Sequence, residues 1–209
     1  KKILVANRGE IAVRLVRELR DLGIASVAVH AKDDAAALHV QLADAAVPLA
    51  ATGPAAYLDG AALIAIAQAQ GCDAVHPGYG FLSERADFAQ ACAEAGLCFI
   101  GPTPDQLALF GDKARARALA QQCDVPVMPG SAGAVTLAEA QAFFAAQQAE
   151  DAPGVMIKAI GGGGGRGMRA VLRASDLPEA HARCMSEAKA AFGVEGVYVE
   201  RLMRNARHI

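Results

Sequence analysis

The residues best suited to chemistry lie in one stretch, VMIKAIGGGGGRGMRA, from Val155 to Ala170. Five consecutive glycines, Gly161, Gly162, Gly163, Gly164 and Gly165, stand between an apolar run containing Lys158 and the pair Arg166–Gly167. Glycine gives up more backbone freedom on folding than any other residue, about 0.5–1 kcal/mol each relative to Ala. Two readings are open: a flexible spacer, or a loop whose bare N–H groups come close to phosphate. Apolar strand residues follow the run closely on both sides, so it joins two strands inside one domain, which favours the loop. The Walker pattern fails, because Arg166 and Gly167 follow the glycines and a strand, not a helix, comes next. The dinucleotide fingerprint belongs after the first strand, where ANRGEIA supplies only Gly9. Asp33 and Asp34 follow the second strand, where a ribose-binding acid would sit, but without the glycines they read as solvated loop charges. NAD binding is therefore not expected. A strand–glycine loop–strand hairpin remains, the form in which flaps cover ATP phosphates. Lys158 is then either an exposed lysine that protects an edge strand or a phosphate contact worth about 1.5–3 kcal/mol. The adjacent loop favours the second.

The elements that must position these residues fall into two patterns. From Lys1 to Gly101, short apolar strands alternate with helices, which implies a parallel sheet covered on both faces. The first strand is Ile3 to Ala6, and Asn7 is read as the cap of the helix after it. That helix places Ile11, Ala12, Leu15, Val16, Leu19 and Leu22 on one face, with Arg14, Arg17 and Asp21 on the other. Further strands are read at 24–30, 45–49, 72–76 and 97–101, with helices from about Ala61 and from Ser83, taken as a cap. In the turn-rich HPGYG, His76 is read as ordering the turn and Tyr79 as a turn aromatic or a ligand contact. After Gly101 the pattern changes. Thr103–Gln106 and Thr136–Glu139 are capping boxes, and Asp112 caps the helix that begins at Lys113. From Thr136 the order is α-β-β-α-β, with Ser175 read as the cap of its second helix.

Composition narrows the function class. The 209 residues carry a net charge of −2, no tryptophan and few aromatics, so no nucleic-acid surface is indicated. The only dense basic cluster, Arg201 to Arg207, is short. The five cysteines form no C-x-x-C pair and fit a reducing, cytoplasmic setting better than a zinc site or disulfide framework. No apolar run is long enough to span a bilayer, and no secretory signal is visible. The chain opens on Lys1 without an initiator Met, which leads to the expectation of a trimmed start.

ANRGEIA, HPGYGFLSE, FIGP, GDK and IKAIGGGGGRGMR occur in the order and spacing of biotin carboxylase, the ATP-grasp component of biotin-dependent carboxylases, and the chain resembles that family over nearly its whole length. The resemblance implies an α/β fold: a Rossmann-like parallel (pre-ATP-grasp) domain at 1–101, a helical linker at 102–130, a small α+β ATP-grasp lid at 131–203, and the start of a truncated central domain at 204–209. It implies ATP-dependent carboxylation of biotin by bicarbonate through carboxyphosphate. The cofactors would be ATP, Mg²⁺ and carrier-linked biotin. The partners would be a biotin carboxyl carrier domain, a carboxyltransferase and a second copy in a homodimer. Lys113 and Lys158 would hold ATP phosphates under the flap Gly161–Gly165, Arg166 and Gly167. Met168 and the hinge Glu200, Arg201, Leu202 and Met203 would form the nucleotide pocket, with His208 beside it. The family commonly has Lys where Arg201 stands, and a small polar residue where Ile160 stands. Tyr79 and Gly80 would lie near biotin, and Arg14, Arg17 and Asp21 on the dimer face.

The resemblance also implies what the chain lacks. In the family, RNARHI opens the domain that supplies the magnesium ligands, the bicarbonate-binding residues and the base, so no catalytic or metal residue maps onto this chain. The expectation is a fragment that does not turn over ATP alone. Two alternatives stay open: a non-catalytic module for dimer or complex assembly, and another ATP-grasp ligase such as a carbamoyl-phosphate synthetase half. The acceptor is not legible, although the GGGGGRGM loop is nearer that of acyl-CoA and pyruvate carboxylases than that of urea carboxylase.

Overall fold

The computed structural model describes residues 1–149, 153–160, 167–192, 196–204 and 206–207. The chain divides into two units, Lys1–Ala108 and Leu109–Ile209.

In the first unit, β1 (Lys2–Val5), β2 (Ala25–His30), β3 (Ala45–Pro48), β4 (Ala74–His76) and β5 (Cys98–Phe99) form a parallel sheet in the order β3-β2-β1-β4-β5. The helices α1 (Gly9–Asp21), α2 (Leu38–Leu42), α3 (Gly60–Ala69) and α4 (Ala86–Glu94) lie between the strands in sequence. Strand alternation sends Ile3 and Val5 to one face, where they join Ala12, Val16 and Leu19 of α1. Leu4 points to the other face, with Val27, Val29, Val75, Leu63 of α3 and Phe88 of α4. Both faces are covered, as a parallel sheet requires. Gly23, at φ +66°, turns the chain out of α1.

Several local readings are corrected. Asn7 does not cap α1: Arg8 occupies that position without a side-chain cap, and Asn7 bonds elsewhere. Leu22, placed on the apolar face, is 69% exposed. Ser83 lies in a turn, its N–H donating to Gly80 O, and α4 starts only at Ala86. Ser175 lies in a 3₁₀ turn, Ala174–Asp176, and donates to Asp176 Oδ1 at 3.0 Å. Two further 3₁₀ turns, Lys32–Asp34 and Pro54–Leu58, and the short α2 had no clear sequence signal.

The two capping boxes and the Asp112 cap after Gly101 hold. Thr103 N donates to Gln106 Oε1 at 2.9 Å and Gln106 N to Thr103 Oγ1 at 3.3 Å, opening α5 (Pro104–Gly111), which spans the division between the units. Asp112 Oδ1 accepts from Ala114 N and Arg115 N at the head of α6 (Lys113–Gln122). Thr136 and Glu139 form the second reciprocal box, opening α7 (Leu137–Ala149). Then follow β6 (Val155–Ala159), β7 (Met168–Val171), α8 (Leu177–Phe192) and β8 (Val197–Arg201). The strands form an antiparallel sheet in the order β7-β6-β8. Val155, Ile157, Val171, Val197 and Val199 face Phe144 of α7 and Leu177 and Cys184 of α8. Among the described residues no helix is long and apolar enough to cross a membrane.

Candidate functional site

In the second unit the alternation of β6 decides which residues can meet a ligand. Val155, Ile157 and Ala159 point into the core, so Met156 and Lys158 face the other way. The antiparallel register sets Lys158 opposite Tyr198 and Met156 opposite Glu200, which puts all four side chains on one face. There Lys158 Nζ and Glu200 Oε1 form an ion pair, with side chains 22% and 13% exposed. β6 is the central strand, so the edge-strand reading of Lys158 does not hold. Tyr198 is buried beside the pair. Burial, then the neighbouring Glu200 charge and hydrogen bond, push its hydroxyl up to about 12.

Lys113 reaches the same neighbourhood from the first turn of α6, where the Asp112 cap fixes its start. Its Nζ donates to Ile160 O at 3.4 Å, the carbonyl just before the glycine run. Lys113, Arg117, Ile160 and Tyr198 line one recess. Arg117, which sequence reasoning passed over, donates to Met128 O at 2.6 Å. The ends of the hairpin are pinned. Ala159 N donates to Gly167 O at 2.8 Å and Ile160 N to Gly196 O at 3.0 Å. Gly167 sits at φ +68°, and a Cβ there would come within 2.9 Å of the Ala159 methyl. Met168 pairs with Lys158 across the ladder and is 42% exposed. Arg201 donates to Gln147 Oε1 at 2.6 Å, Leu202 N bonds Gly154 O, and Met203 is 59% exposed. Gly161–Gly165, Arg166 and His208 lie outside the described residues.

The first unit holds a second cluster. Ala6 N donates to His76 O, and beyond that point Asn7 continues the contact through its side chain. Its amide donates to Pro77 O at 2.7 Å and to Tyr79 O at 2.9 Å. Gly78 N donates to His76 Nδ1 at 3.1 Å, the turn-ordering role expected of that histidine. Tyr79 is 62% exposed, yet its hydroxyl oxygen accepts from Arg14 Nη1 at 3.1 Å. Arg14, Arg17 and Asp21 are exposed on α1. The structure thus joins Arg14 to Tyr79, two residues to which the sequence assigned separate roles.

The carboxyl ends of β1 and β2 carry a third constellation. Arg8 donates to both oxygens of Asp34, at 2.5 and 2.7 Å, and the buried Tyr57 hydroxyl donates to Asp34 Oδ2 at 2.9 Å. Asp34 is therefore not a solvated loop charge. The Arg8 guanidinium lowers its carboxyl to about 2, and the Tyr57 hydrogen bond adds to this. Burial, with the nearby carboxylate adding to it, pushes Tyr57 up to about 12. This network stands after the second strand, where a dinucleotide fold carries its ribose-binding acid.

A Rossmann-like parallel sheet followed by an α+β unit, with Lys158 on the strand that leads to the glycine run and Lys113 bonded to the carbonyl just before it, defines a chain of the ATP-grasp type. Comparison with known proteins gives its family. The description "Biotin carboxylase, N-terminal domain" matches residues 1–107, and "Carbamoyl-phosphate synthase L chain, ATP binding domain" matches residues 112–209. The chain belongs to the biotin carboxylase family. It is 49% identical over 212 residues to pyruvate carboxylase of Bacillus subtilis, covering 100% of this chain and 18% of that protein. It is 47% identical over 209 residues to biotin carboxylase of a Nostoc species, covering 100% of this chain and 46% of that protein. The crystal structure of the biotin carboxylase domain dimer of Hydrogenobacter thermophilus 2-oxoglutarate carboxylase, with MgADP, ADP and bicarbonate, superposes with a TM-score of 0.92 at 38% identity, over 98% of this chain and 45% of that one. A biotin carboxylase–β,γ-ATP complex from Campylobacter jejuni gives a TM-score of 0.90 at 41% identity, over 98% and 46%. The chain spans less than half the length of these relatives.

Proposed function

We propose that this chain is the N-terminal part of an enzyme that carboxylates carrier-linked biotin at the expense of ATP. The observation that carries the reading is the bond from Lys113 to the Ile160 carbonyl at the entrance to the glycine run, with Lys158 two residues before that carbonyl and paired with Glu200. Two ammonium groups beside a run of bare N–H donors suit a chain of phosphates. In this reading Gly161–Gly165, Arg166 and Gly167 cover the phosphates, and Met168, Glu200–Met203 and His208 surround the base. Bicarbonate displaces ADP from the γ-phosphorus to form carboxyphosphate. The carboxyl group then passes to a ureido nitrogen of biotin, and phosphate leaves, taking up the proton that the nitrogen loses. Magnesium would offset the phosphate charge. Among the described residues no three His, Cys, Asp or Glu side chains converge to hold a metal ion, and Glu200 is committed to Lys158, so no step is assigned to magnesium on this chain.

Tyr79 and Gly80 lie near biotin in this reading, while Arg14, Arg17 and Asp21 face a second copy. A carrier domain and a carboxyltransferase are the partners, and the setting is cytoplasmic. The domain limits follow the same assignment: 1–101, 102–130 and 131–203, with 204–209 leading into the catalytic domain. The match of residues 112–209 to a carbamoyl-phosphate synthase ATP-binding domain favours one second reading, a ligase that activates bicarbonate without biotin.

ATP cleavage separates these. In the complete enzyme, bicarbonate-dependent ADP release rises when biotin is added. No stimulation by biotin supports the second reading. The isolated 209-residue chain is expected to release no ADP. Bicarbonate-dependent release from it would place the catalytic groups here after all.

A further inference from the structure

We infer that Asn7 is a positioning residue: its side-chain amide is the latch that presents the Tyr79 ring. The inference rests on the reading of Tyr79 as a biotin neighbour and adds the group that holds it there. Parallel pairing of β1 with β4 ends where Val5 lies opposite His76 and Ala6 N reaches His76 O. The next residue on that side, Pro77, has no N–H, and the chain turns sharply at Gly78, φ +67°. Backbone pairing cannot continue, so the side chain of Asn7 takes over. Both of its amide hydrogens are used, on Pro77 O at 2.7 Å and Tyr79 O at 2.9 Å, and its Oδ1 accepts Arg8 N at 2.9 Å. Asn7 is fully buried, so each of these bonds is expensive to leave unmade. The turn is fitted to it: a Cβ on Gly78 would stand 2.6 Å from Asn7 Nδ2.

The consequence falls on Tyr79. A residue 62% exposed in a glycine-flanked turn would ordinarily sample many orientations. Here its carbonyl is tied to Asn7 and its hydroxyl to Arg14. An exposed ring held at both ends is a preset wall, suited to the flat, uncharged ureido ring of biotin, because little further freedom is lost when the ligand arrives. Aspartate at position 7 keeps the shape of the side chain and removes both donors, turning a carboxylate onto two carbonyl oxygens.

In the complete enzyme, Asn7→Asp is expected to raise KM for free biotin about tenfold or more, since a displaced positioning group costs rates of that order, while KM for ATP stays as in the parent. A merely structural role would lower the melting temperature without separating the two constants. Tyr79→Ala is the companion variant. If it leaves KM for biotin unchanged, the reading of Tyr79 falls, whatever Asn7 does. The latch is then read without turnover, in enzyme labelled with 3-fluorotyrosine. The ¹⁹F resonance that Tyr79→Phe removes is expected to be single in the parent and shifted or broadened in Asn7→Asp. An unmoved resonance in folded Asn7→Asp overturns the latch, as does an unchanged KM for biotin where Tyr79→Ala raises it. Should Asn7→Asp fail to fold, the Asn7 side-chain amide protons of the parent decide: slow exchange with solvent supports the latch, and exchange at the rate of an exposed amide overturns it.

Discussion

Lys158 and Glu200 sit diagonally across the β6–β8 ladder and are ion-paired on the face opposite the hydrophobic core. Neither side chain is more than about a quarter exposed, so solvent screens the pair less than a surface contact. Removing one partner leaves the other charge poorly compensated, whereas removing both does not. Lys158→Met and Glu200→Gln are each expected to lower unfolding free energy by about 1–2 kcal/mol, and the double variant by less than their sum. Urea denaturation of the two singles and the double measures this. Calorimetric titration with ATP measures the functional side: Lys158→Met weakens binding about tenfold to a hundredfold if the lysine holds a phosphate.

Acid should act on Asp34. Its folded pKa, about 2, lies below the ordinary 3.8, chiefly because Arg8 bonds it and also because Tyr57 does. A depressed carboxyl contributes stability that is complete above the unfolded value and is lost as pH falls through the folded one. The difference in urea midpoint between the parent and Asp34→Asn should therefore shrink as pH falls from about 4 toward 2. Buried His39, its pKa lowered by burial and raised in part by the Asp34 charge, lies lower still in Asp34→Asn, so its protonation adds to the difference below 6.5.

Removing the Tyr57 hydroxyl has a second effect. Ala31 N donates to it at 3.0 Å inside the core. Tyr57→Phe leaves that N–H without its partner and takes from Asp34 Oδ2 one of its two donors, Arg8 Nε remaining, and should cost about 1–3 kcal/mol in chemical denaturation at neutral pH. A loss below about 0.5 kcal/mol would mean that water replaces the hydroxyl.

Gly154 is a sharper backbone test. It lies at φ +136°, and a Cβ would come within 2.3 Å of Val171 O on the neighbouring strand. Gly154→Ala should destabilise by about 3 kcal/mol or more, whereas Gly133→Ala, where a Cβ meets nothing within 4 Å, should stay within about 0.5 kcal/mol. Melting curves of the two variants compare them directly.

Thiol chemistry tests the cores. Cys72, Cys92 and Cys184 are buried and their pKa values are raised by that burial, Cys92 to about 11. Peptide-mapped labelling with a thiolate-selective reagent should leave these three unmodified until the protein is denatured.

What was legible in the sequence was local. The boxes at Thr103–Gln106 and Thr136–Glu139, the Asp112 cap and the alternation of strands and helices all act within a few residues, and all appear as expected. Asn7, Ser83 and Ser175 were misread as caps, because a side-chain amide or hydroxyl has other partners to choose from. Asn7 spends its donors on residues 70 and 72 positions away, and Asp34 takes Arg8 from 26 positions upstream. Lys158 was recognised as a candidate phosphate ligand from its neighbours. Nothing nearby signalled that its strand would be central, since the pairing is made by Val197–Arg201, far along the chain. The Arg14–Tyr79 contact likewise depends on α1 and the β4 turn meeting only after the sheet has formed.

Double pairing of β6 fixes more than the geometry of one ion pair. A strand laddered on both flanks cannot slide by one residue without inverting every side chain along it, and here that would bury Lys158 among valines and turn Ile157 outward. The lysine's place is thus insulated from changes at the tip of the hairpin. Insertions, deletions or exchanges among the glycines can alter what the loop touches, while the cation at its root stays put.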